Sequence, residues 1–184
     1  MGDATVPNQP RAASARYDAA SGRVVVELTN GCGFLFPARA VQGLEAATDD
    51  ALAEVEILGL GIGLHWERLD VDVSVPGLLA GLFGTRAWMD RQRAAKAGAA
   101  SVGMDLQIKN VTVDEHRLTV DLMDGRSIAV PLAWYPRLFD ATPEQRRNWE
   151  IAGGGTGIHW PDVDEDLNAE GLLHGAPATE RPSS

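Results

Sequence analysis

Apolar and polar positions along the chain fall into short β-prone runs set off by glycine- and proline-marked turns. The first is Arg23-Val24-Val25-Val26-Glu27-Leu28-Thr29, followed by Asn30-Gly31 and then Cys32-Gly33-Phe34-Leu35-Phe36-Pro37. Asn-Gly between two such runs predicts a β-hairpin closed by a type I′ turn, because both residues tolerate positive φ. Thr48-Asp49-Asp50 predicts an N-cap and an acidic first turn, opening a helix that reaches Ile57 and stops at Gly59. A strand through His65-Trp66 follows, and Ser74-Val75-Pro76-Gly77-Leu78-Leu79 begins a short helix.

The same succession returns further along the chain. Arg23 matches Arg117, Gly31 matches Gly125, Pro37 matches Pro131, Thr48 matches Thr142 and His65 matches His159, all at an offset of 94 positions without a gap. Over the 59 residues of Arg23–Gly81 there are 21 identities. Constant register over such a length identifies two copies of one unit. The second copy repeats the hairpin with Asp124-Gly125, and Thr142-Pro143-Glu144-Gln145 reads as a capping box with proline at the first helical position. A further strand over Leu106–Val113 precedes this hairpin, with a weaker counterpart at Arg16–Ala20.

The expected fold is therefore α+β: two β-β-β-α-β units with largely antiparallel sheets, each closed by a short helix. They occupy 16–84 and 105–175, flanked by disordered tails at 1–15 and 176–184. The alanine-rich segment 85–104 reads as a helical connector. A core of this size buries only about 60% of its unfolded surface. We therefore expect the copies to pack as a pseudo-two-fold intramolecular dimer.

Composition narrows the function. The net charge is −10, which works against nucleic-acid binding, since that affinity comes from lysine and arginine on phosphates. Only the connector, with Arg86, Arg93 and Lys96 beside Trp88 and Met89, is basic, and no second basic helix completes a helix-turn-helix. No signal peptide or membrane span is visible, and Cys32 is the only cysteine. An internal disulfide is excluded, and a cytoplasmic location is the expectation.

Chemistry concentrates in Gly153–Leu167 and its partner Gly59–Val73. His159 with Asp162, Asp164 and Asp166 has the ligand types of a metal site. Counted as a calcium loop from Asp162, however, the required glycine is Leu167 and the closing glutamate is Leu173. In the first copy Asp162 is replaced by Arg68. The glycine runs lie where a helix ends and a strand begins, the reverse of a phosphate-binding loop. No serine or cysteine nucleophile recurs, since Cys32 aligns with Arg126 and Ser127 with Gly33. Neither a catalytic set, a metal nor a cofactor is expected.

What survives in both copies is the glycines, His-Trp and two aspartates. Trp66, Trp160, Gly31 and Gly125 are the expected structural anchors. His65, Asp70, Asp72, His159, Asp164 and Asp166 are the candidate ligand- or partner-binding residues, and the aspartates are also placed to form Asx-turns and cap the following helix.

The stretch Leu138-Phe139-Asp140-Ala141-Thr142-Pro143-Glu144-Gln145-Arg146, with Gly157-Ile158-His159-Trp160-Pro161-Asp162-Val163-Asp164-Glu165-Asp166-Leu167, resembles the bacterial domain-of-unknown-function family 2442. The first copy, with Gly63-Leu64-His65-Trp66, Asp70 and Asp72, is similar to a divergent member. The resemblance implies a small cytoplasmic α+β module, sometimes joined to a helix-turn-helix domain or encoded beside toxin-like proteins. It carries no established activity. Together these readings point to a non-catalytic binding or regulatory module acting through protein contacts, antitoxin-like, with an unidentified protein partner. The alternative is a small-molecule or metal-binding protein that uses the repeated His-Trp and Asp-x-Asp stretch.

Overall fold

The structure is a computed structural model that describes residues 10–95 and 106–173. Expectations that fall on 1–9, 96–105 and 174–184, including Lys96 and the outer parts of both tails, lie outside the described residues. The chain divides into two compact units, which are taken in turn.

The first unit opens with β1 (Ala12–Asp18), β2 (Arg23–Leu28) and β3 (Gly33–Pro37), with β2 in the middle. β1 starts inside the stretch read as a tail. Along β2, Val24, Val26 and Leu28 are buried and alternate with half-buried Arg23, Val25 and Glu27, the period of a sheet with one face on a core. Next come α1 (Asp49–Ala53), β4 (Glu56–Leu58), β5 (Gly63–Trp66), β6 (Val71–Ser74), α2 (Val75–Leu79) and α3 (Arg86–Ala95). β4, β5 and β6 form a second, three-stranded antiparallel sheet with β5 central.

The second unit repeats this plan. It contains β7 (Ile108–Val113), β8 (Arg117–Leu122) and β9 (Ser127–Pro131), then α4 (Pro136–Phe139) and α5 (Pro143–Arg147). The sheet β10 (Glu150–Ala152), β11 (Gly157–Trp160) and β12 (Glu165–Asn168) leads into α6 (Ala169–Leu173). Leu118, Val120 and Leu122 are the buried positions of β8. The capping box is present: Thr142 accepts from the Gln145 N–H, and the Gln145 side chain accepts from the Thr142 N–H.

The fold is thus α+β with antiparallel sheets in two similar units, and each unit has one more pair of strands than the β-β-β-α-β reading. The helix expected to reach Ile57 ends at Ala53, because Glu56–Leu58 is taken up as a strand by backbone pairing with β5. Tertiary pairing overrides local helix propensity here. The hairpin turns also differ from the type I′ form. Gly31 and Gly125 take φ of +90° and +96°, but Asn30 and Asp124 are not left-handed. The Gly125 N–H instead donates to the Leu122 carbonyl at 3.1 Å, and the Leu122 N–H to the Arg126 carbonyl at 2.8 Å. A turn over Leu122–Gly125 that ends on the left-handed glycine gives a longer loop with the same glycine requirement. No helix among the described residues is long and apolar enough to cross a membrane.

Candidate functional site

The geometry of the repeated stretch starts from its tryptophans. In β5 and β11 alternate side chains point to opposite faces. Leu64 and Trp66 are fully buried, as are Ile158 and Trp160. The Trp66 indole donates to the Leu52 carbonyl at 3.0 Å, and Trp160 donates to the Arg146 carbonyl at 3.1 Å. Helix ends leave carbonyls without intrahelical partners, and each indole satisfies one from α1 or α5. This fixes the sheet against the short helix and leaves the histidine side facing outward.

On that outer face His65 lies directly between two carboxylates. Its cross-strand neighbours are Glu56 on β4 and Asp72 on β6. In the second unit His159 lies between Glu150 and Asp166. The His65 Nδ1 and Asp72 carboxylate are 2.7 Å apart, and the His159–Asp166 distance is 2.8 Å. An ionised carboxylate only accepts, so Nδ1 carries the proton and donates. The side chains are accessible: 21% and 68% for His65 and Asp72, 32% and 60% for His159 and Asp166. Each unit therefore displays a glutamate, an imidazole and an aspartate in one row, two carboxylates flanking a histidine.

The other aspartates stand apart from this row. Asp70 and Asp164 occupy the β5–β6 and β11–β12 turns with φ of +52° and +53°, a conformation aspartate tolerates better than most residues. Neither they nor their neighbours cap the following helix. That role falls to Ser74, which accepts from the Gly77 N–H at 2.8 Å, and Asn168, which accepts from Gly171 at 2.6 Å. Asp162 ties the same turn to the end of α5 through Asn148, at 2.9 Å. In the first unit the matching positions carry Arg68 and Glu54, bonded at 2.8 Å. The change from Asp162 to Arg68 exchanges one surface tie for another. Among the described residues no group of three histidine, cysteine, aspartate or glutamate side chains is placed to hold a metal ion.

Two parts of the surface are not legible in the sequence pattern. Glu56 and Glu150 lie on β4 and β10, strands that the pattern does not reveal, although their identity at the 94-residue offset is a signal that marks them. The second part is an open depression of about 590 Å³ in the first unit, running along β6 from Asp70 to Ser74. Its opposite wall is Gln42-Gly43 and Leu82-Phe83-Gly84-Thr85. Glu45 holds this wall, accepting from the Gly43 N–H at 2.7 Å and from the Trp88 indole at 2.9 Å. Backbone N–H donation keeps the Glu45 carboxyl below its ordinary range.

Similarity to known proteins follows the repeat. The family described as "Protein of unknown function (DUF2442)" matches residues 12–84 and again residues 108–178. A protein of unknown function from Rhodospirillum rubrum ATCC 11170 is 68% identical over 45% of this chain and 99% of its own, with a TM-score of 0.44. An uncharacterised protein from Chromobacterium violaceum is 34% identical over 45% of this chain and 75% of its own, with a TM-score of 0.41. No curated protein matches.

Proposed function

The chain belongs to the DUF2442 family of proteins of unknown function, and we propose that it is a binding module acting through protein contacts, antitoxin-like in that it holds a basic partner. The observation that carries this reading is the acidic row Glu56–His65–Asp72 and its copy Glu150–His159–Asp166. Each row lies on the open face of a sheet. Two carboxylates in each row complement lysine, arginine and backbone N–H donors, and the net charge of −10 steers a cationic partner toward them.

A second reading, small-molecule binding at the histidines, is favoured by the equal geometry of the two His–Asp pairs. The full-length chain and a His65→Ala/His159→Ala variant, each used as bait in extracts of the source cell, separate the two. The protein-contact reading expects one basic partner retained in stoichiometric amount, released by salt and held less well by the variant. A metabolite panel that raises the melting temperature of the wild type but not of the variant, with no protein retained, would establish the second reading instead.

A further inference from the structure

The depression along β6 adds a specific surface to the protein-contact reading, on which it rests. β6 is the outer strand of its sheet. The Val75 N–H donates to the Ile62 carbonyl, and the register pairs Val73 with Leu64 and Val71 with Trp66. Antiparallel pairing alternates along a strand. The backbone N–H and C=O of Asp72 and Ser74 therefore point away from β5, into the depression. Its far wall is 82–85 with Gln42-Gly43, and exposed Leu82 supplies an apolar contact. An unpaired edge beside an open groove is the geometry of strand addition.

The second unit indicates what chemistry the groove takes. Arg137 stands where the first unit has Gly43. Its guanidinium donates to the Asp164 carbonyl and lies 3.8 Å from the Asp164 carboxylate. The equivalent Asp70 has no side-chain partner among the described residues. Gly43 is also fixed as glycine, since a Cβ there would meet Val71 Cγ2 at 2.7 Å and its φ is +93°. One copy thus sets an arginine from its own chain beside its turn aspartate, and the other has no such arginine at Asp70 among the described residues.

We infer that the β6 groove of the first unit docks an extended basic segment of a partner protein, added as a fourth strand, with an arginine or lysine on Asp70 and Asp72. The added strand continues the Glu56–His65–Asp72 row, placing its basic side chain across from Asp72 as an opposite-charge cross-strand pair.

The test uses the full chain, labelled with ¹⁵N, and a capped peptide of alternating valine and arginine as probe. A valine–glutamate peptide and argininamide serve as comparisons. The expected result is shifts confined to Val71–Ser74 and the facing 82–85 wall, slowed exchange of the Asp72 amide, and no effect of the glutamate peptide. Asp70→Asn, which keeps a left-handed-tolerant residue, weakens the valine–arginine peptide about tenfold, while Asp164→Asn leaves it unchanged. Equal response to argininamide, no loss in Asp70→Asn, or shifts elsewhere would overturn the inference. So would concentration-dependent shifts of β6 without peptide, which would make a second copy the occupant. If the captured partner is held equally by Asp70→Asn and the peptide fails, the groove is refuted and the broader reading stands. If the peptide binds as expected but the captured partner is held equally by the His65→Ala/His159→Ala variant, the groove stands and the role given to the Glu–His–Asp rows fails.

Discussion

At the scale of residues, the glycine run between β4 and β5 shows how much a single position is constrained by its surroundings. Gly59, Leu60 and Gly61 all have positive φ, and a Cβ on Gly61 would lie 2.4 Å from the Ala12 carbonyl oxygen. Gly61→Ala is therefore expected to lose on the order of 3 kcal/mol, read by urea denaturation of the full chain. Gly154→Ala in the second unit meets nothing within 4 Å and carries only the left-handed penalty, about 1 kcal/mol. Leu60 is left-handed and 87% exposed, so its side chain returns no packing for its backbone strain. Leu60→Asn should stabilise by about 0.5 kcal/mol. The sequence marks Gly59, Gly61 and Gly63 by their repetition at Gly153, Gly155 and Gly157. It does not show that the constraint at Gly61 is the backbone of β1, some fifty residues away, because only the folded chain brings the two together.

Among the elements, β12 carries a built-in pH dependence. Glu165 sits where the first unit has buried Val71, and burial pushes its carboxyl above the ordinary range, with Asp166 and Asp164 adding to the effect and Arg137 opposing it. A carboxyl whose folded pKa exceeds its unfolded value binds its proton more tightly in the native state. Its contribution favours folding at low pH, and this is lost as pH rises through the folded pKa. Glu165→Gln should therefore raise the melting temperature at pH 7, and the gain should vanish at pH 4. An equal gain at both pH values would assign the effect to packing. The strands β4 and β10 are the elements the sequence does not disclose. At three residues each they are too short for a period, and the preceding Thr-capped helix runs straight toward them. What recruits Glu56–Leu58 is pairing with β5, a contact no local pattern encodes. The central strands β2 and β8, with their alternating buried valines and leucines, are legible because their period is itself the signal.

For the whole molecule, the duplication explains which parts of the candidate site are readable. Setting the copies side by side separates the retained His65/His159, Asp70/Asp164 and Asp72/Asp166 from the replaced Asp162. The fold then gives Asp72 and Asp166 to the histidines and Asp70 and Asp164 to the turns. The groove along β6 is not legible, since it is made by Gln42-Gly43 and Leu82–Thr85 meeting a strand distant in sequence. The two units share a framework but present different surfaces: Leu58, Leu60 and Ile62 stand where the second unit has Ala152, Gly154 and Thr156. In the proposed function the exposed Glu–His–Asp sheet face contacts a protein. Hydrogen exchange of the full chain, alone and with its captured partner, tests it most directly. Slowed exchange is expected across 56–58, 63–66 and 71–74, or across 150–152, 157–160 and 165–168. Protection confined to other elements, with both rows exchanging as in the free chain, would contradict it.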